Sequence, residues 1–290
     1  MTEQLGLRLF ETAFWIYLAA AAIYIAGMFK NQTNLAKLGR GFFLAALLVH
    51  TGSLVVITIA IGRPPFLNLY EYMLSFTWAA AAVYAAMEAL TKSTSFGAFC
   101  VPLIAAFALF TQLLGKEIHQ GIDESIMPAL HSAWRVPHVG SAILAYGAFL
   151  IAFVLAIMYL VRTQIDRNAA APGGKPAQKS FWDARLPSAA VLDQTIYRTI
   201  AFGFLMQTLL VIIGAVWAQV AWGRFWGWDP KETWSFITWL IYATYLHTRT
   251  AMGWRGQRSA WLAIIGFAAT AFTLIGVSFL LGGLHSYAGK

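Results

Sequence analysis

The chain has 290 residues, of which 59% are hydrophobic and only 11% charged. Soluble domains carry about 25% charged residues, so the composition excludes an ordinary water-soluble globule and indicates a polytopic membrane protein. The net charge of +8 would suit a nucleic-acid binder, but the cations lie in loops between apolar runs; they read as membrane topology, with no nucleic acid as a partner.

A helix needs about 20 apolar residues to cross the hydrocarbon. In chain order the apolar runs predict eight transmembrane helices, at 10–29, 41–62, 71–91, 96–114, 138–161, 198–221, 234–250 and 259–283. The expected fold is therefore all-α: one transmembrane helix bundle over residues 1–290. The first run has no basic n-region or small-residue cleavage site, so it reads as a retained span. An even number of spans puts both termini on the same side.

One set of loops, with Lys30, Lys37, Arg40, Lys92, the 162–198 stretch, Arg249, Arg255 and Arg258, holds thirteen of the twenty Lys and Arg residues. The positive-inside rule makes that set cytoplasmic and places both termini and the 222–239 segment outside. Residues 162–197 include NAAAPGGKPAQKS and read as a flexible cytoplasmic connector.

Several residues along the spans can carry chemistry. His50 lies in span two, ten residues past Arg40, which is roughly 15 Å from the cytoplasmic edge. Glu71, in NLYEY, opens span three as a cap, and Glu88 near its other end is expected to reach the interface. Cys100 is the only cysteine, so the chain has no C-x-x-C-H site and is not itself a c-type cytochrome. His119 and His131 read as solvated loop residues. His138 opens span five after Arg135-Val136-Pro137.

Residues 217–239, WAQVAWGRFWGWDPKETWSFITW, hold six of the twelve tryptophans. An aromatic belt accounts for scattered interfacial tryptophans. It does not account for Trp222, Trp226, Trp228 and Trp234 crowded together with Gly223 and Gly227 between them. Such a surface suits a large planar apolar ligand. Asp229, Pro230 and Glu232 have the spacing of a helix start, with Asp at the N-cap, Pro at N1 and Glu at N3. Arg224 and Lys231 are cations that can meet acidic groups on the ligand. His247 lies in span seven, thirteen residues past Trp234 or roughly 20 Å down the helix, where it could face His50. His285 closes span eight in GGLHSYAG. Imidazole is a standard axial ligand for haem iron, so these histidines and tryptophans together suggest a haem-handling membrane protein.

WGRFWGWDPKETWSFITWLIYATYLHTR resembles the tryptophan-rich signature of the CcsA/ResC cytochrome c biogenesis proteins. HTGSL, PPFLNLYEYMLSFTW and GVSFLLGGLHSYA are similar to that family as well, so the likeness spans the whole chain outside 162–197. Arg63-Pro64-Pro65 and Ser278 depart from its usual pattern. The resemblance implies that haem b (iron protoporphyrin IX) is bound by two pairs of histidines. His50 and His247 match the pair within the membrane, and His138 and His285 match the outer pair. It further implies that the outer histidines serve attachment of haem to a C-x-x-C-H apocytochrome c, a holocytochrome c synthase activity. A separate CcsB/ResB-type membrane subunit is the implied partner, in a bacterial inner membrane or a thylakoid membrane. Two other activities fit the same residues: haem transport without ligation, and b-type electron transfer.

Overall fold

The structure, a computed structural model, describes residues 2–114, 118, 128–170, 181–182 and 185–281. Among these residues there is no strand, and eight long helices follow one another: α1 (Thr2–Lys30), α2 (Thr33–Ile61), α3 (Leu69–Thr91), α4 (Gly97–Leu113), α5 (Arg135–Ala170), α6 (Ala189–Trp222), α7 (Pro230–Ala251) and α8 (Gln257–Ala271). A π-helical turn, Phe272–Gly276, carries α8 into a short helix, α9 (Val277–Leu280). Seven of the predicted spans each fall on one of the long helices, while the eighth, 259–283, begins on α8 and runs on through the π-turn and α9, its last two residues lying outside the described residues. Counting Thr94–Leu113 and Gln257–Gly276 as single helices, seven of the described helices are long and apolar enough to cross a membrane; α7, rich in Thr, Tyr and Trp, falls short of that measure. The molecule is an integral membrane helix bundle.

Packing divides the bundle into two halves that meet through α3 and α5. α1 lies along α2 and also against α4, while α3 packs on both α4 and α5. α5 is in turn sheathed by α6 and α8, with α7 between α6 and α8. Within the second half, the Phe149 ring stacks on Tyr242 at 3.6 Å. Leu48, Ile59, Leu205 and Ile212 point outward, the surface that lipid tails cover.

The loops decide where chemistry can gather. At one end, α2 stops at Gly62, which takes the left-handed conformation a C-cap favours. α3 then begins on Asn68, whose side chain accepts the Glu71 N–H at 2.8 Å. Glu71 is therefore not the cap. Its carboxylate is buried and takes two bonds from Arg63, at 2.8 and 3.0 Å, and a third from the Leu67 N–H at 2.8 Å. This pairing braces the loop between α2 and α3.

At the opposite, basic end, the middle of the expected connector, residues 171–180, 183 and 184, lies outside the described residues, and its flanks are described. α5 runs on to Ala170 and α6 begins at Ala189, so both helices enter the stretch expected to be a flexible connector. Hydropathy falls at Arg162, but no helix breaker follows for several residues. Arg162 and Asp166 also pair across one turn at 2.8 Å. Arg185 donates to the Met28 and Phe29 carbonyls at 2.7 and 3.2 Å, which satisfies the open end of α1. Arg249 grips Asp193 with two bonds, and the Gly256 N–H adds a third at 3.0 Å. Glu88 does not reach the interface as expected. It is buried between the hydroxyls of Tyr24 and Tyr84, at 2.8 and 2.9 Å, with Arg40 at 3.4 Å.

Candidate functional site

At the tryptophan end, the α2–α3 loop, the start of α5, the end of α6, the start of α7 and the π-turn enclose a cavity of about 200 Å³. Its wall is mostly aromatic and aliphatic. His138, Trp217, Trp222, Trp226, Lys231 and Arg135 all reach it.

His138 sits in the first turn of α5, with its Nδ1 3.1 Å from the Leu210 carbonyl of α6. Trp217 meets the imidazole edge-on at 5.2 Å, and its own indole N–H donates to the Ala129 carbonyl at 3.0 Å. A carbonyl can only accept, so this contact requires the proton on Nδ1. Arg135 is buried nearby and donates to the Leu130 carbonyl at 2.6 Å, holding the 3₁₀ turn Pro128–His131 against the start of α5.

The tryptophan loop follows the capping geometry its sequence predicts. Gly223, at φ 72°, ends α6. Asp229 caps α7 by accepting the Lys231 N–H at 2.9 Å. Glu232 reaches back to the N–H groups of Asp229 and Gly227, at 3.2 and 2.8 Å, so the capping box is complete. At Gly227 a Cβ would lie 2.7–2.8 Å from the Arg224 guanidinium, so the missing side chain leaves the room that group occupies. Trp226 meets Trp228 and Phe236 edge-on, at 5.8 and 6.2 Å. Trp228 stands out of the protein, 68% exposed, on a backbone at φ 55°. An L-residue pays about 1–2 kcal/mol for that left-handed conformation. Lys231 lines the cavity, and burial pushes its ammonium below the ordinary lysine range, with Asp229 pulling it partly back.

The structure brings some predicted site residues together and separates others. Trp222, Trp226, Lys231 and His138 share the cavity wall. Trp228 and Arg224 are exposed on the loop between α6 and α7, outside the cavity lining, and Asp229 works as the helix cap. Trp234 packs on Phe272 at 4.3 Å, and its carbonyl accepts from Thr273, which ties the π-turn to α7. His50 and His247 are not neighbours. His50 is fully buried in the first half of the bundle, with Phe10 at 4.9 Å and the Tyr17 hydroxyl 3.5 Å from its Nδ1. His247 is exposed on α7, in the second half. His131 is exposed, as expected, while His285 and His119 lie outside the described residues.

Sequence reasoning missed Arg135, Tyr72, Tyr146 and Gly214 as parts of the cavity, and Arg63–Glu71 as the brace of its loop. None belongs to the tryptophan cluster. The one available signal was an arginine in the turn before His138. Among the described residues, no three His, Cys, Asp or Glu side chains gather to hold a bare metal ion. One imidazole on an apolar, indole-lined wall is instead what an iron already held by a porphyrin needs from one side.

Comparison with known proteins identifies the family of the chain. The family described as "Cytochrome C assembly protein" matches residues 66–285. The cytochrome c biogenesis protein CcsA of Gloeobacter violaceus is 34% identical, covering 96% of this chain and 94% of that protein. The CcsA protein of Trieres chinensis is 36% identical, covering 97% and 94%. That of Guillardia theta is 35% identical, covering 94% and 92%. Among solved structures, the cytochrome c haem lyase CcmF superposes with a TM-score of 0.69 at 14% identity. The match covers 94% of this chain and 46% of that one, so it speaks for a shared fold over about half of the larger protein. The chain belongs to the Cytochrome C assembly protein family.

Proposed function

We propose that this chain takes part in cytochrome c biogenesis: it holds haem b at the tryptophan end while the thiols of a C-x-x-C-H apocytochrome c add to the vinyl groups. The observation that carries this reading is His138. Its imidazole stands in an apolar cavity walled by Trp217, Trp222 and Trp226, with Nδ1 engaged by a backbone carbonyl. Haem is substrate here. In each addition a sulfur–carbon bond forms, the thiol hydrogen passes to the neighbouring vinyl carbon, and no net oxidation occurs. Haem and the cysteines supply the bonds; the protein supplies position and a dry wall. His138 and His285 are the proposed axial pair at this site. Arg224 and Lys231 are the proposed partners of the haem propionates, Lys231 from the cavity wall and Arg224 from the exposed loop beside Gly227.

The positive-inside loops support an orientation with this cavity outside the cytoplasm, in a bacterial inner membrane or a thylakoid membrane. A CcsB/ResB-type subunit is the proposed companion. α7 supports it, because Thr244 and His247 face outward from the bundle, and an ionisable side chain at membrane depth normally faces protein or a cavity. His50 and His247 are proposed as haem contacts within the membrane.

The test is co-expression with the companion subunit and an apocytochrome. His138→Ala and His285→Ala are expected to lose holocytochrome, and added imidazole to restore it by occupying the empty axial position. Wild-type yield from both variants would remove these histidines from the mechanism. Replacing His247 by Ala should lower the haem recovered with the complex; unchanged haem in both His50 and His247 variants rejects an intramembrane site.

A further inference from the structure

His138 does not stand alone at the cavity wall. Leu210 and Gly214 lie one turn apart on α6, on the face that meets the imidazole. A Cβ at position 214 would fall 2.7 Å from Cε1 and 3.0 Å from Nδ1 of His138. Real side-chain carbons do not come that close, so the ring lies directly on the helix backbone and glycine alone leaves room for it. The same approach brings Nδ1 to 3.1 Å from the Leu210 carbonyl. That carbonyl already serves the α6 ladder, and its second lone pair accepts from the imidazole. On another side Trp217 meets the ring at 5.2 Å and 64°, and Trp217 is itself fixed through Ala129.

We infer that Gly214 and the Leu210 carbonyl act together as a positioning notch that makes His138 an Nε2 ligand for haem iron. The inference rests on the proposed haem-holding reading and adds a residue and an atom to it. A ring nitrogen that carries a proton cannot bind iron, so holding the proton on Nδ1 assigns the metal to Nε2. Metal-bound histidines commonly donate their other N–H to a carbonyl, which sets ring orientation and raises ligand basicity; losing such a partner typically costs 10–100-fold in affinity or activity. The notch therefore orients the ring and strengthens it as a donor, while Gly214 itself touches neither haem nor thiol.

The experiment compares Gly214→Ala, Gly140→Ala and His138→Ala in the complex with the companion subunit and an apocytochrome. Gly140 lies half a turn past His138, and a Cβ there meets nothing within 4 Å, so its alanine variant should match wild type. Gly214→Ala should reduce holocytochrome yield about 10–100-fold. It should also raise the reduction potential of the bound haem, because the imidazole loses its N–H···O contact and donates more weakly. Imidazole should restore the yield although His138 is still present. Wild-type yield and potential in Gly214→Ala would overturn the notch. If His138→Ala also shows unchanged yield and haem spectrum, the haem-holding reading fails with it. A lost yield in His138→Ala beside a normal Gly214→Ala sinks the notch alone. Should Gly214→Ala fail to accumulate, nitrogen NMR of histidine-labelled wild-type protein decides, with His138→Ala as the blank. Protonated Nδ1 is expected, and protonated Nε2 refutes the assignment.

Discussion

At the scale of single residues, the tryptophan end carries two features that cost stability. One is Lys231, whose ammonium burial holds below its ordinary pKa. The folded chain thus releases this proton at lower pH than the unfolded chain. The cost of the buried charge is present at neutral pH and is relieved as pH rises through the folded pKa toward the ordinary value of about 10.4. A bound propionate favours the charged form, so haem affinity should be full below the folded pKa and fall as pH rises through it. Haem titration across the alkaline range is the check, and Lys231→Gln should flatten the profile. The other is the left-handed backbone of Trp228. Replacing it by Gly removes about 1–2 kcal/mol of strain, so thermal stability should hold or rise. Haem recovered with the complex should fall if the exposed indole covers the ligand. A melting curve and a haem assay on one preparation separate the two effects.

At the scale of elements, the outer loops depend on buried polar groups that belong to no single helix. The Arg63–Glu71 pair closes the α2–α3 loop, whose Phe66–Leu69 stretch lines the cavity. Glu71→Ala leaves a buried guanidinium without its carboxylate, which typically costs about 3–5 kcal/mol. Replacing both residues together, Arg63→Met with Glu71→Leu, should cost far less, because no charge is left stranded. Denaturation of the purified variants measures the difference. At the basic end, Arg185 pins the segment before α6 to the carbonyls that end α1. Arg185→Ala should speed chymotryptic cleavage near Phe181 and barely move global stability, since the contact is local and partly exposed.

On the scale of the whole molecule, the two halves of the bundle keep His50 and His247 apart and leave His247 outward-facing. That arrangement, with its cavity at one end, makes orientation a direct test. Cys100 is fully buried, so introduced cysteines report without background. Ala133→Cys, beside the cavity, should react with an impermeant maleimide in intact cells. Lys92→Cys, at the basic end, should react only after lysis. The reverse pattern would invert the topology.

Some of this was legible in the residues. Hydropathy located the eight helices, and the order Asp229, Pro230, Glu232 fixed the start of α7, because a span and a cap are settled by groups within a few residues of one another. The tryptophan signature marked the family for the same reason: it is contiguous. What sequence could not supply were contacts between helices distant along the chain. His138 meets a carbonyl 72 positions away, and Tyr24 reaches Glu88 across 64. The same gap hid the burial of Glu88 and the separation of His50 from His247. Which side chains meet inside a membrane bundle depends on the rotation and crossing of packed helices, set jointly by all their contact faces. The sequence alone therefore determined the spans, the start of α7 and the family; the tertiary structure decided that His138 stands in the cavity and that its Nδ1 is the nitrogen held.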